Sequence, residues 1–133
     1  MFIHKFVDMK NSITALTFIV LALFFSCAKP GPGGEAEIHI NAKHHDALIP
    51  NTVVYIKYDA NDFPGDDLSL YDASITTDAM AHGHFKDLKK GNYYIYGVGF
   101  DSAINQAVTG GMKVRISKKD EMTEVDLQIT EGD

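Results

Sequence analysis

Four histidines are the first residues of this sequence whose type and spacing could support chemistry. They form two pairs, His44 with His45 and His82 with His84. Residues two positions apart on a β-strand share one face, so His82 and His84 could supply half of a zinc site. A complete site requires the first pair to approach the second, and no sequence feature predicts that approach. We therefore expect solvated histidines and no bound metal, with metal binding as the alternative.

The loop DANDFPGDD contains oxygen-bearing side chains of the kind that calcium binds. The calcium candidates are Asp59, Asn61, Asp62, Asp66 and Asp67. The spacing is not that of an EF-hand: with Asp59 as first ligand, Phe63 occupies a ligand position and Gly65 comes one position late for the sharp turn. We expect a solvated acidic loop, with a weak extracellular calcium site as the alternative.

Tyr94 and Tyr96 lie on one face of a predicted strand, opposite Tyr93 and Ile95. Their rings could form a platform for a glycan or a partner protein. Alternatively, they cover the second side of the strand. We favour burial, because several adjacent exposed rings promote aggregation.

Sequence motifs typical of catalysis are missing. The chain has no Gly-x-Ser-x-Gly turn, no His-Glu-x-x-His helix and no glycine-rich phosphate loop after a strand. Its single cysteine, Cys27, excludes an intrachain disulfide and a cysteine-rich zinc site. With 12 basic and 18 acidic side chains, the net charge of -6 repels a nucleic acid backbone. We expect a protein that is not an enzyme, uses no cofactor and binds no nucleic acid.

Residues 1–26 are predicted to form a signal peptide. Two lysines precede an uncharged apolar run over residues 13–25, which ends just before Cys27. A membrane-spanning helix needs about 20 apolar residues, and this run is shorter and is followed by a turn-rich segment. Translation from Met1 or from Met9 stays open, because Met9 is followed by a lysine and would also make a conventional signal start.

The position of Cys27 after Ser26, at the end of the apolar run, resembles the lipobox of bacterial lipoproteins. The resemblance implies acyl chains on the Cys27 sulfur and stable membrane anchoring, for which two chains suffice. A Pro/Gly-rich tether over residues 27–34 would follow. Because Ala28 is not Asp, the sorting rule of enteric bacteria implies the outer membrane, with the periplasmic or surface face open. A secreted protein with a free cysteine and an uncleaved anchor are the alternatives.

Residues 35–133 are typical of a single β-domain. Apolar residues alternate with polar ones, or β-branched and aromatic residues dominate, in about seven short runs. These runs predict strands near residues 35–41, 53–58, 72–77, 84–88, 93–100, 112–117 and 124–129. Residues 101–108 could hold one helical turn or a further strand. We expect residues 93–100 to form a central strand, kinked or bulged at Gly97 and Gly99.

The run TTDAMAHGHFKDLKKGNYYIYGVGF resembles the transthyretin-like domains called carboxypeptidase regulatory-like and, more loosely, the B-type repeats of collagen-binding adhesins. The matching positions are Thr77, Asp78, Gly83, Phe85, Leu88, Gly91, Tyr93, Gly99 and Phe100. The resemblance implies an all-β, antiparallel Greek-key sandwich of about seven or eight strands, transthyretin-like or immunoglobulin-like. It also implies a non-catalytic binding or structural module of a surface or periplasmic assembly, with a protein or glycan partner at the envelope. An adhesin or pilus-type subunit and a carrier of a glycan or metal are the alternatives.

Overall fold

The computed structural model describes residues 28–132, which are built mainly from β-strands. The elements are β1 (Pro32–His44), β2 (Ala47–Leu48), β3 (Val53–Tyr58), a 3-10 helix (Leu68–Leu70), β4 (Ala73–Thr76), β5 (His82–Leu88), β6 (Gly91–Asp101), β7 (Gln106–Ile116) and β8 (Met122–Gln128). The predicted signal peptide, residues 1–26, and the predicted lipidation site, Cys27, lie outside the described residues. Within residues 28–132, no helix is long and apolar enough to cross a membrane.

Two four-stranded sheets make up the fold. In sheet A, β1 pairs antiparallel with β2 and β5 and parallel with β8. In sheet B, the strands follow the order β4-β3-β6-β7, and every pair is antiparallel. The predicted all-β sandwich is confirmed, and the β1–β8 pair is the parallel contact in an otherwise antiparallel arrangement.

The core lies between the sheets because most of the longer strands alternate apolar and polar side chains. In β1, Ile38 and Ile40 are buried, whereas Glu37 and His39, which alternate with them, remain partly exposed. Branched and aromatic residues, which pack well on a pleated surface, supply most of the core. Its largest fully buried side chains are Tyr93, Ile38, Ile40, Ile56, Ile95, Ile116, Leu127 and Ile129.

The glycines of β6 do not bulge the strand. The pairing of β6 with β7 runs through Gly97 and Gly99 without a register shift, so the predicted bulge is absent, and the alternative of a kink stays a prediction. Both glycines instead leave room for the core: a Cβ at Gly97 would lie 2.8 Å from Cδ2 of Leu127. Register shifts occur in the β1–β5 pair, on both sides of Ala36.

The segment over residues 101–108 forms the β6–β7 hairpin. A turn covers residues 102–105, and β7 begins directly after it. Residues 106–108 are therefore an extension of the strand predicted near residues 112–117, and neither a helical turn nor a further strand forms in this segment. β6 lies between β3 and β7, which confirms the central strand predicted over residues 93–100.

Candidate functional site

The outer face of sheet B carries a group of aromatic rings, which we call the aromatic patch. It consists of Tyr55, Phe63, Tyr71, Tyr94 and Tyr96. Tyr94 and Tyr96 project from β6, and Tyr55 lies opposite Tyr96 in the β3–β6 pair. Phe63 and Tyr71 come from the loop between β3 and β4, which folds back over the sheet. The patch therefore joins residues that are distant in the sequence.

The rings differ in their exposure to solvent. The centroid of Phe63 lies 5.8 Å from that of Tyr94 and 5.4 Å from that of Tyr96. Tyr71 stacks on Tyr96 at 5.9 Å with an interplanar angle of 16°. Aromatic rings attract one another at such separations. Tyr96 is 9% exposed and Phe63 is 48% exposed, so Tyr96 forms a covered floor and Phe63 an accessible rim.

Local hydrogen bonds hold the β3–β4 loop in place. The hydroxyl of Tyr71 donates to the carbonyl oxygen of Gly65 at 3.0 Å. The carboxylate of Asp67 accepts from the N–H of Ser69 at 3.0 Å and from its hydroxyl at 2.7 Å, and so caps the 3-10 helix. The loop conformation thus needs no ligand to present Phe63.

An open depression of about 340 Å³ lies beside the rings. It is lined by Phe63, Asp66, Tyr94, Tyr96, Thr109, Gly110 and Gly111. Its shape depends on Gly111, because a Cβ there would lie 2.6 Å from Cε1 of Tyr94. The ring of Tyr94 therefore rests against bare backbone of β7. The result is a shallow surface of rings, peptide groups and one carboxylate, that of Asp66.

The hydroxyls of Tyr71 and Tyr94 stay protonated at neutral pH. Burial, followed by the charges of Tyr94, Tyr96 and Asp66, raises the pKa of Tyr71 to about 12. Burial is also the main cause that raises the pKa of Tyr94, with Tyr96 second. A protonated phenol can both donate and accept a hydrogen bond, so the patch offers polar contacts beside its apolar ring faces.

The calcium candidates do not come together. Asp59, Asn61 and Asp62 are exposed in the first part of the loop, Asp66 lines the depression, and Asp67 caps the 3-10 helix. The hydrogen bonds that the Asp67 carboxylate accepts from Ser69 lower the pKa of Asp67. Among residues 28–132, the carboxylates of this loop form no cluster of three or more that could share a metal ion.

The four candidate histidines occupy two separate places. His82 and His84 are exposed on the same face of β5, as strand periodicity predicts. His44 and His45 lie at the far end of β1, where their rings are 4.5 Å apart. The structure therefore does not join the two pairs into one site.

His44 is held in an ionic contact at the end of the sandwich. Its Nδ1 lies 2.7 Å from Oδ2 of Asp101, and both side chains are buried. Its Nε2 lies 2.6 Å from Oε2 of Glu131, at the distance of an ion pair but without the angle of a hydrogen bond. The hydrogen bond to Asp101 is the main cause that raises the pKa of His44. This arrangement ties the last residues of the chain to β1 and β6.

His84 has neighbours that sequence reasoning missed. Its ring lies 4.0 Å from that of His39, its partner across the β1–β5 pair. Nε2 of His39 lies 2.9 Å from Oε2 of Glu37, and this hydrogen bond is the main cause that lowers the pKa of Glu37. The alternation of β1 places Glu37 and His39 on one polar face, and this signal could have identified them.

A second depression of about 450 Å³ lies at the end of the sandwich near His44. Its lining includes Leu48 and Phe100, whose side chains are 42% and 55% exposed. Its carboxylate, Asp101, is already engaged by His44. Its lining also includes the polar side chains of Asn51 and Ser102, but Phe100 is its one aromatic ring, so it lacks the group of rings that the aromatic patch presents.

The fold and the surface define the chain as a two-sheet β-sandwich domain. No protein-family model matches it, and no curated protein sequence is significantly similar. Among solved structures, the chain is similar to a Pseudomonas aeruginosa protein proposed to bind carbohydrate, with a TM-score of 0.50 and 17% identity. The match covers 76% of this chain and 92% of the other. At this identity the likeness shows the shared fold alone.

Proposed function

We propose that the protein is a non-catalytic glycan-binding module, displayed at the bacterial envelope through a lipid on Cys27. The observation that carries the glycan assignment is the open depression in which Phe63 and Tyr94 border the carboxylate of Asp66. A similar fold in a protein proposed to bind carbohydrate is compatible with this assignment.

Sugar rings need both kinds of contact that the aromatic patch offers. The C–H groups on one side of a pyranose pack on an aromatic ring, which supplies a large and rigid apolar surface. The hydroxyl groups at its rim need acceptors and donors, which the Asp66 carboxylate and the tyrosine hydroxyls provide. A depression open on one side suits a chain end or an extended glycan. No step of bond cleavage is assigned to it.

Binding to glycans tests the assignment directly. The full-length chain, purified in mild detergent, is applied to an array of bacterial and host glycans, and hits are measured by titration calorimetry. Phe63→Ala and Tyr94→Ala should each weaken binding at least about tenfold, because burying a ring face contributes about 1.5 kcal/mol or more and ~1.4 kcal/mol is a factor of ten.

Phe100→Ala is the matched control, because the exposed ring of Phe100 belongs to β6, as Tyr94 does, but lines the second depression. It should bind as the unchanged chain does. Loss of binding in Phe100→Ala with retention in Tyr94→Ala would move the site to the other end of the sandwich and refute the assignment. Absence of binding to every glycan would refute it as well.

The lipid anchor is tested separately by mass spectrometry of the mature protein. The expected product begins at Cys27 and carries the added mass of acyl chains, and a Cys27→Ser variant should no longer sediment with membranes. An unmodified Cys27 thiol would contradict the anchor. Because the aromatic patch is far from this position in the sequence, glycan binding would stand or fall independently.

A pilus-type subunit is the second candidate, and β7 is the observation that favours it. This strand of 11 residues lies at the edge of sheet B, where within residues 28–132 one isolated bridge, Thr109 to Thr130, joins it to the chain end. Such an edge can accept a donor strand. Lys113 and Arg115 are exposed on it, and such charges oppose self-pairing. Oligomers that resist mild denaturant would favour this candidate over a monomeric glycan binder.

A further inference from the structure

The outer face of sheet A carries a compact group of metal-binding side chains, on the face opposite to the aromatic patch. One ligand atom each from Glu37, His39 and His84 lies within 4.8 Å of the others. Within residues 28–132, no other group of three or more such side chains is this close together. We propose that these three residues form a binding site for a divalent transition-metal ion of the zinc class.

The strand pairing places these ligands without help from any loop. His39 and His84 are direct partners in the β1–β5 pair, and Glu37 lies two residues from His39 on the same face of β1. Ligands on paired strands are rigid, which lowers the entropic cost of closing a site around an ion. The imidazole centroids are 4.0 Å apart, and side-chain rotation could direct two nitrogens and one oxygen at a common point.

The ligand set selects the metal. Two imidazoles and one carboxylate match the three protein ligands of zinc sites that keep a fourth, open position. Imidazole favours zinc, copper and nickel over calcium and magnesium, which prefer oxygen ligands. A depression of about 140 Å³ beside the group, lined also by His82 and Glu124, leaves space for water or a further ligand at the fourth position.

This site is independent of the proposed glycan binding, because it belongs to the other sheet and shares no residue with the aromatic patch. The carboxylate of Glu37 and the ring of His39 are both half-buried and already contact each other at 2.9 Å, so an ion bound between them would replace this hydrogen bond.

Zinc titration of the full-length chain in mild detergent tests the site, with calcium and magnesium as comparison ions. Zinc should raise Tm by an amount that grows with the logarithm of its excess over Kd, because an ion that binds only the folded state stabilises it. His39→Gln and His84→Gln should each weaken zinc binding at least about tenfold, the scale known for disturbing a ligand environment.

His45→Asn is the matched control, since it also removes an exposed histidine and asparagine tolerates the positive φ of 54° at this position. It should bind zinc as the unchanged chain does. Imidazole NMR signals of the unchanged chain provide a second readout, which does not depend on whether a variant folds. The signals of His39 and His84 should shift when zinc is added. Zinc-dependent shifts confined to His44 and His45, equal effects of calcium and zinc, or no response at all would overturn the proposal.

Discussion

The hydroxyl of Tyr93 joins three segments at one end of the sandwich. Tyr93 is fully buried, and its oxygen accepts the N–H of Gly31 at 2.8 Å and donates to the carbonyl of Lys89. Lys89 in turn donates its N–H to the carbonyl of Gly31 at 2.9 Å. A tyrosine that bonds back to the backbone near the start of its strand resembles the tyrosine corner of Greek-key sandwiches.

Tyr93→Phe removes only this oxygen, so the ring keeps its packing in the core. The N–H of Gly31, which is buried, is then left without its partner. Leaving one buried polar group unpaired costs about 1 to 3 kcal/mol. For a domain of about 100 residues, each kcal/mol lowers Tm by about 4 °C, which predicts a loss of about 4 to 12 °C. Urea and thermal denaturation followed by circular dichroism measure both quantities.

Tyr58→Phe provides the control for this prediction. Its ring meets that of Tyr93 edge-on at 6.0 Å, and within the described residues its hydroxyl makes no hydrogen bond. The same chemical change at this neighbouring position should therefore have little effect on Tm. If Tyr93→Phe destabilises the protein no more than Tyr58→Phe does, the reasoning about the Gly31 N–H is refuted.

Three further predictions concern the charged contact, a close approach and a turn. Asp101 raises the pKa of His44, so their contact stabilises the folded state fully below the ordinary histidine pKa of 6.5 and is lost as pH rises through the raised pKa. Urea denaturation across this range should therefore show a free energy of unfolding that falls with pH. The His44→Gln variant should lack this fall. Gly110→Ala should lower the free energy of unfolding by ~3 kcal/mol, measured by urea denaturation, because the added Cβ would collide with the backbone of β8. Gly132→Ala is the control: its Cβ would meet no atom within 4 Å, so the free energy of unfolding should not change. Asn105 has a φ of 54° in the β6–β7 turn, so Asn105→Gly should keep Tm and Asn105→Ala should lower stability by about 1 kcal/mol; equal Tm values would contradict this.

The existence of most strands could be predicted because sheet periodicity is a local property. The run Val53–Tyr58 was predicted with both of its ends, and residues 93–100 were recognised as central from apolar residues on both faces. Strand partners are not local: β1 lies parallel to β8, which pairs Glu37 with Met122 across most of the domain. No alternation pattern distinguishes this arrangement from an antiparallel one.

The two candidate sites failed to be predicted in full for the same reason. Tyr94 and Tyr96 were named as a platform, but Phe63 joins them only because the β3–β4 loop folds back, which depends on contacts such as that of Tyr71 with Tyr96. His84 was named as a ligand, but its partner His39 follows from the β1–β5 register. Residue type was readable from the sequence, and cross-strand proximity was not.

The proposed anchor and the two proposed sites are mutually compatible in space. Gly31 is hydrogen-bonded to Tyr93, and β1 begins at Pro32. Only residues 28–30 therefore separate Gly31, the first residue fixed to the sandwich, from Cys27. Four residue steps span at most about 14 Å, so a lipid on Cys27 would hold this end of the sandwich near the lipid headgroups. Since Gly91 pairs with Ile116, the β5–β6 and β7–β8 turns lie at this same end, and each carries two adjacent lysines, residues 89–90 and 118–119. An anionic bilayer would attract these lysines although the net charge of the whole chain is -6. The outer faces of both sheets would then stand at the sides of the domain, where a glycan and a metal ion can reach them.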